Sequence, residues 1–171
     1  MSEEKAWNKA LNFLSFRART LYEMRSYLKK HDYEPYSEKI INRLQECGYL
    51  DDKQFAKSWI KDRLQSKSLG KARLKEELFK KGISKEIIEE QLEELYDDAQ
   101  DFERALTIAQ KRLPQLKSLD FSAARRRLSQ YIIRHGFPSQ VAWRVCQKLL
   151  PSRDRPAGQV APSTPTDPYF S

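Results

Sequence analysis

Cysteine is nearly missing from this sequence: Cys47 and Cys146 are the only two in 171 residues. Two thiols build no disulfide framework, so a reducing, cytoplasmic setting is expected. Glycine is scarce too, with five copies, which argues against the turn-rich architecture of a sandwich or barrel. No apolar run approaches the roughly 20 residues of a membrane span. The opening Met1-Ser2-Glu3-Glu4-Lys5-Ala6-Trp7 lacks the apolar core of a secretion signal. There is no glycine-rich phosphate loop and no HExxH pair. Neither a metal nor a cofactor is expected, and no enzymatic constellation stands out.

Charge is plentiful. One third of the residues are Asp, Glu, Lys or Arg, and the net charge is +8. It is unevenly spread. Residues 1 to 50 carry nine bases against seven acids, residues 51 to 97 eleven of each, and residues 98 to 150 ten against four. A basic surface of this kind suits a partner that is nucleic acid or is bound to it.

The periodicity is helical throughout. The spacing predicts a helix over 5–16, a second opening at the capping box Thr20-Leu21-Tyr22-Glu23, and a third over 37–47. Gly48-Tyr49-Leu50-Asp51-Asp52-Lys53-Gln54-Phe55-Ala56 then reads as a helix junction specified from both sides. Gly48 ends one helix and Asp51 caps the next, with Leu50 and Phe55 at hydrophobic-staple spacing. The pattern restarts over 51–66, 70–81 and 84–95, and again over 98–112, 120–135 and 138–149.

Overlaying the three passes gives a period of about 50 residues. Ala10, Phe13, Leu14 and Arg17 match Ala56, Trp59, Ile60 and Arg63, then Ala105, Ile108, Ala109 and Arg112. Met24 and Leu28 match Leu74 and Leu78, then Leu128 and Ile132. Ile40, Leu44 and Cys47 match Ile88, Leu92 and Leu95, then Ala142, Cys146 and Leu149. The fold expected is all-α: three tandem three-helix repeats over 1–50, 51–97 and 98–150. Five of the eight prolines fall in 151–171, which reads as a disordered tail.

The overlay gives both cysteines small-hydrophobe roles in the core, and places His31 and His135 with Lys81 at helix C-termini. The carboxylates of residues 83–97, six acids against one base, read as a solvated face or an acidic docking surface. The stronger candidates are basic. Lys71, Arg73 and Lys75 open a helix after Gly70, and Arg125, Arg126 and Arg127 lie in the third repeat with Arg134 beyond them. They suit phosphates bound in a salt-dependent way, or a solvated, acid-paired surface.

Several stretches resemble the RecX family of bacterial regulatory proteins. They are Ala10-Leu11 through Arg17 with Arg19-Thr20-Leu21-Tyr22-Glu23-Met24; Gly48-Tyr49-Leu50-Asp51-Asp52 with Phe55-Ala56; and Gly70-Lys71-Ala72-Arg73-Leu74-Lys75-Glu76-Glu77-Leu78 into Lys80-Lys81-Gly82-Ile83-Ser84. The third repeat adds Ile132-Ile133-Arg134-His135-Gly136-Phe137. The resemblance implies an elongated, curved, non-enzymatic monomer. It would lodge in the groove of the RecA recombinase filament on single-stranded DNA and inhibit its ATPase, strand-exchange and co-protease functions. Expected RecA contacts are Asp51, Asp52, Phe55, Lys71, Arg73 and Lys75. Expected phosphate contacts are Arg125, Arg126, Arg127 and Arg134. The alternative is a direct DNA binder of helix-turn-helix type, with the third repeat as reader.

Overall fold

The computed structural model describes residues 2–151. Among them are nine α-helices and no strand: α1 (Glu3–Ser15), α2 (Leu21–Lys30), α3 (Ser37–Glu46), α4 (Asp52–Ser66), α5 (Lys71–Lys80), α6 (Lys85–Leu95), α7 (Asp101–Arg112), α8 (Phe121–Arg134) and α9 (Ser139–Leu149). Short 3-10 turns at Glu34–Tyr36 and Leu113–Leu116 take Pro35 and Pro114 early, where a missing N–H costs little. The proline-rich tail lies, apart from Pro151, outside the described residues.

The apolar stripes converge on three cores. Ala6, Ala10, Met24, Leu28, Ile40 and Leu44 form the first. Ala56, Ile60, Leu74, Leu78, Ile88 and Leu92 form the second. Ala105, Ala109, Leu128, Ile132, Ala142 and Cys146 form the third. Three small cores in series, rather than one large one, make the molecule elongated.

The helix starts at Thr20 and Asp51 and the stop at Gly48 fall where the sequence predicts, although the Glu23 carboxylate bonds Arg17 and Lys81 in place of the Thr20 N–H. Thr20, Asp51 and Ser84 accept from the N–H of Glu23, Gln54 and Ile87, three residues on. Gly48, Gly82 and Gly136 take positive φ of 72°, 77° and 93°, and Asp32 does the same at 62°. Beyond these caps the N–H groups of Tyr33, Tyr49 and Ile83 donate back to Leu28, Leu44 and Leu78 at 2.9, 2.8 and 3.2 Å.

Two local expectations fail at the Gly48 junction. Cys47 is exposed, because α3 ends at Glu46 and Cys47 turns outward as its cap. Leu50 and Phe55 make no staple. Leu50 is buried in the first core and Phe55 belongs to the second, so the junction straddles two cores.

The repeats meet through their second helices, end to end. The His135 and Gly136 carbonyls at the close of α8 accept from the Gly70 and Ala72 N–H groups at the start of α5, at 2.8 and 3.2 Å. The Lys81 carbonyl at the close of α5 accepts from the Thr20 hydroxyl at the start of α2, at 2.7 Å. Each joint sets a helix C-terminus against a helix N-terminus. Orphan carbonyls meet donors there and opposed dipole ends face each other.

Candidate functional site

The joint between the first and second repeats, the first joint along the chain, carries an open groove. Its floor depends on residues that serve the fold. Asp51 caps α4, its carboxylate accepting from the Gln54 N–H at 3.0 Å. Asp52 is only 7% exposed, and its carboxylate accepts from the Leu21 N–H across the joint at 2.9 Å. Burial pushes the Asp52 carboxyl above its usual range, although the Leu21 bond opposes this. Phe55 is buried with its ring 5.7 Å from that of Trp59. The groove, of about 420 Å³, runs over Arg17, Arg19, Tyr49, Asp51, Phe55 and Trp59.

The cations around it are held in place. Arg17 reaches Glu23 at 3.0 Å, and Lys81 reaches the same carboxylate from α5 at 2.8 Å. Burial works to raise the Glu23 pKa, but the Arg17 and Lys81 bonds hold it below the usual range. Arg63 lies 4.1 Å from the Trp59 ring centre and bonds Glu77 at 2.9 Å. The arginine repeated at Arg17, Arg63 and Arg112 thus ties the first helix of each repeat to its second: Arg112 lies 5.3 Å from the Tyr131 ring centre.

Lys71, Arg73 and Lys75 do not join this groove. They lie at the second joint, already engaged with acids. Lys71 meets Asp98 at 3.2 Å, Arg73 meets Glu76 at 2.8 Å, and Lys75 approaches Glu89 at 3.9 Å. Behind them Tyr96 donates a short hydrogen bond to the buried Asp101 carboxylate. Burial, then the Asp101 bond, pushes the Tyr96 hydroxyl far above its ordinary value.

The third repeat is different. In the second repeat Lys53, Lys57 and Lys80 sit at 2.5, 2.8 and 2.5 Å from Glu90, Glu94 and Glu76. On α8, by contrast, Arg126, Arg127 and Arg134 are exposed and have no ion-pair partner among the described residues. Arg125 is half-buried and engaged. At about 100° per residue the three consecutive arginines fan around the helix, so they do not all face one way.

Sequence reasoning passed over two features. Arg19, Tyr49 and Trp59 complete the groove at the first joint, and only the fold brings them together. Trp143 and Phe121 are 57% and 40% exposed beside the α8 arginines. A large aromatic off the Ala142–Cys146–Leu149 stripe was the available signal.

Among the described residues, no group of His, Cys, Asp and Glu is arranged to hold a metal ion, and no helix is long and apolar enough to cross a membrane. The fold therefore defines a tandem array of three-helix domains joined through their second helices, with surfaces suited to macromolecular partners.

Family models described as the first, second and third three-helix domains of RecX match residues 6–44, 51–92 and 98–146. The regulatory protein RecX of Prosthecochloris aestuarii is 35% identical over 147 residues, covering 85% of this chain and 94% of that protein. That of Amycolatopsis mediterranei is 30% identical, covering 86% and 84%. The Listeria welshimeri protein is 33% identical, but this chain spans only about half of its length, 51%. The crystal structure of RecX from Lactobacillus salivarius superposes with a TM-score of 0.74 at 30% identity, covering 86% of this chain and 96% of that one. The chain belongs to the RecX family of regulatory proteins.

Proposed function

We propose that this chain binds the RecA filament on single-stranded DNA and inhibits its ATPase, strand-exchange and co-protease activities, without catalysis of its own and as a monomer in the cytoplasm. The observation that carries this reading is a division of labour between two surfaces of a RecX-family chain. The groove at the first joint is aromatic, arginine-rich and of mixed charge, the composition of a protein-binding hot spot. The third repeat instead offers unpaired arginines, the chemistry that meets phosphates. On this reading Asp51 borders the RecA contact, and Asp52 and Phe55 act by holding the joint beneath it. Lys71, Arg73 and Lys75 contribute by exchanging their present acidic partners for acids of RecA. Arg126, Arg127 and Arg134 are the exposed contacts to DNA phosphates, and Arg125, already engaged within the protein, lies beside them.

The test is single-stranded-DNA-dependent ATP hydrolysis by RecA, with this protein titrated in well below one copy per RecA. Strong loss of hydrolysis is expected. Unchanged hydrolysis at excess protein, with filaments confirmed present, overturns the reading.

The unpaired arginines also favour a second reading, a DNA-binding protein that acts on duplex without RecA. It requires tight, sequence-dependent duplex binding by the protein alone, lost in an Arg126→Ala/Arg127→Ala variant.

A further inference from the structure

Trp143 on α9 and Phe121 at the start of α8 line one open cavity of about 410 Å³, together with Ser122, Arg125, Arg126 and Ser129. Their exposure is not explained by the core. The stripe of α9 buries Ala142, Val145 and Cys146, and Trp143 stands off it. Other indoles of the molecule are tied down: Trp59 donates to Glu77 at 3.0 Å and carries Arg63 on its face, and Trp7 lies under Arg43 at 4.0 Å. Nearby cations that do find a ring find a different one, since Arg144 and Lys148 lie over Phe102 at 4.7 and 5.4 Å. Among the described residues nothing covers the Trp143 face, and it stands beside the exposed Arg126.

We infer that Phe121 and Trp143 form a stacking platform for unpaired bases, with Arg126 gripping an adjoining phosphate, so that the third repeat selects single-stranded nucleic acid over duplex. An aromatic face next to an unneutralised guanidinium matches the two parts of a single strand, base and phosphate. A duplex keeps its bases stacked and offers such a platform only phosphates. The sign of the charge supports this occupant over a protein: residues 98 to 150 carry ten bases against four acids. The inference deepens the nucleic-acid half of the function proposed above but is measured without RecA, so the two fail separately.

The experiment is fluorescence anisotropy of the full chain, alone, with a labelled thymidine oligonucleotide, an abasic oligonucleotide of the same length, and a duplex. The platform predicts the tightest binding to the thymidine strand. Trp143→Ala should weaken that binding about tenfold, the scale of one stacked base, and leave abasic binding unchanged. Trp143→Phe should restore most of the loss, which a merely structural role would not. Arg126→Ala should weaken both single strands. Circular dichroism of Trp143→Ala should match the parent, since that side chain is outside the core. Equal affinity for thymidine and abasic strands, or an unaffected Trp143→Ala variant, overturns the inference. So does a Trp143→Ala variant that binds every strand normally but fails to bind RecA without DNA, because the patch is then a protein-docking site.

Discussion

Gly48, Gly82 and Gly136 all hold positive φ, yet a methyl group would meet different surroundings at each. At Gly48 nothing lies within 4 Å, so alanine there costs only the left-handed conformation, about 1 kcal/mol. At Gly82 the added carbon would sit 2.2 Å from the Tyr22 Cβ, and at Gly136 2.3 Å from the Arg73 backbone nitrogen. Gly82→Ala and Gly136→Ala should therefore each lose clearly more stability than Gly48→Ala, measured by urea unfolding. Asp32 occupies the same cap in the first repeat, where no further repeat docks, and there a side chain is accepted.

Asp52 carries a second residue-level prediction. Its folded pKa is raised by burial, so its contribution is greatest below the ordinary carboxylate range and fades as pH rises through the elevated value. Asp52→Asn keeps an acceptor for the Leu21 N–H and removes the buried charge. Its unfolding midpoint should match or exceed the parent's at neutral pH, with the advantage shrinking on acidification. Asp52→Ala leaves that N–H without its acceptor and should cost about 1–3 kcal/mol, the loss being larger at acidic pH. Glu23, with a lowered pKa, works in the opposite sense: its contribution is present at neutral pH and lost as pH falls. Gln91 is fully buried on α6, and neither its amide nitrogen nor its oxygen has a partner among the described residues. Gln91→Leu should stabilise the second repeat by about 1 kcal/mol in the same unfolding assay.

At the scale of the element, α5 is the helix the molecule is strung on, because it is docked at both ends. Gly70 opens it against Gly136, with an added Cβ falling 2.3 Å from the Gly136 carbonyl carbon. Gly70→Ala should leave helical content intact but loosen the third repeat. Amide exchange should accelerate at Gly70 and Ala72, whose N–H groups cross the joint, while the first core is unchanged. Helix α8 shows the converse. It has 14 residues against ten in α2 and α5, and its extra turn ends on its own cap, Asp120. Among the described residues no repeat docks there, and Arg126, Arg127 and Arg134 are left exposed. Removing each exposed arginine that contacts phosphate should reduce the salt slope of single-strand binding by about 0.7.

For the whole molecule, three cores joined by polar joints make stability a sum of repeat terms and interface terms. They also let several weak contacts act together, the later ones strengthened by effective concentration. If the chain acts on RecA as proposed, a joint variant such as Gly70→Ala should weaken that inhibition more than it weakens strand binding by the protein alone. Comparing the two titrations checks this.

The sequence by itself determined the local order of this protein. Apolar spacing set the nine helices of the described residues, and Thr20, Asp51, Ser84 and the glycines set several of their ends, because capping and periodicity act over a few residues. It also exposed the three-fold repeat and the arginines of α8. It did not determine which side chains are spent within the fold. Asp52 stands among the expected partner contacts until the Leu21 N–H comes to it from 31 residues away. Cys47 reads as core until α3 stops one residue short of it. Lys71, Arg73 and Lys75 read as phosphate-binding or acid-paired cations alike until Asp98, Glu76, Glu77 and Glu89 close on them. The end-to-end joints, the groove between Tyr49 and Trp59, and the openness of Trp143 were decided only in the tertiary structure. Each depends on how one repeat is rotated against the next or on how one helix packs on another, and such long-range geometry leaves no period in the chain.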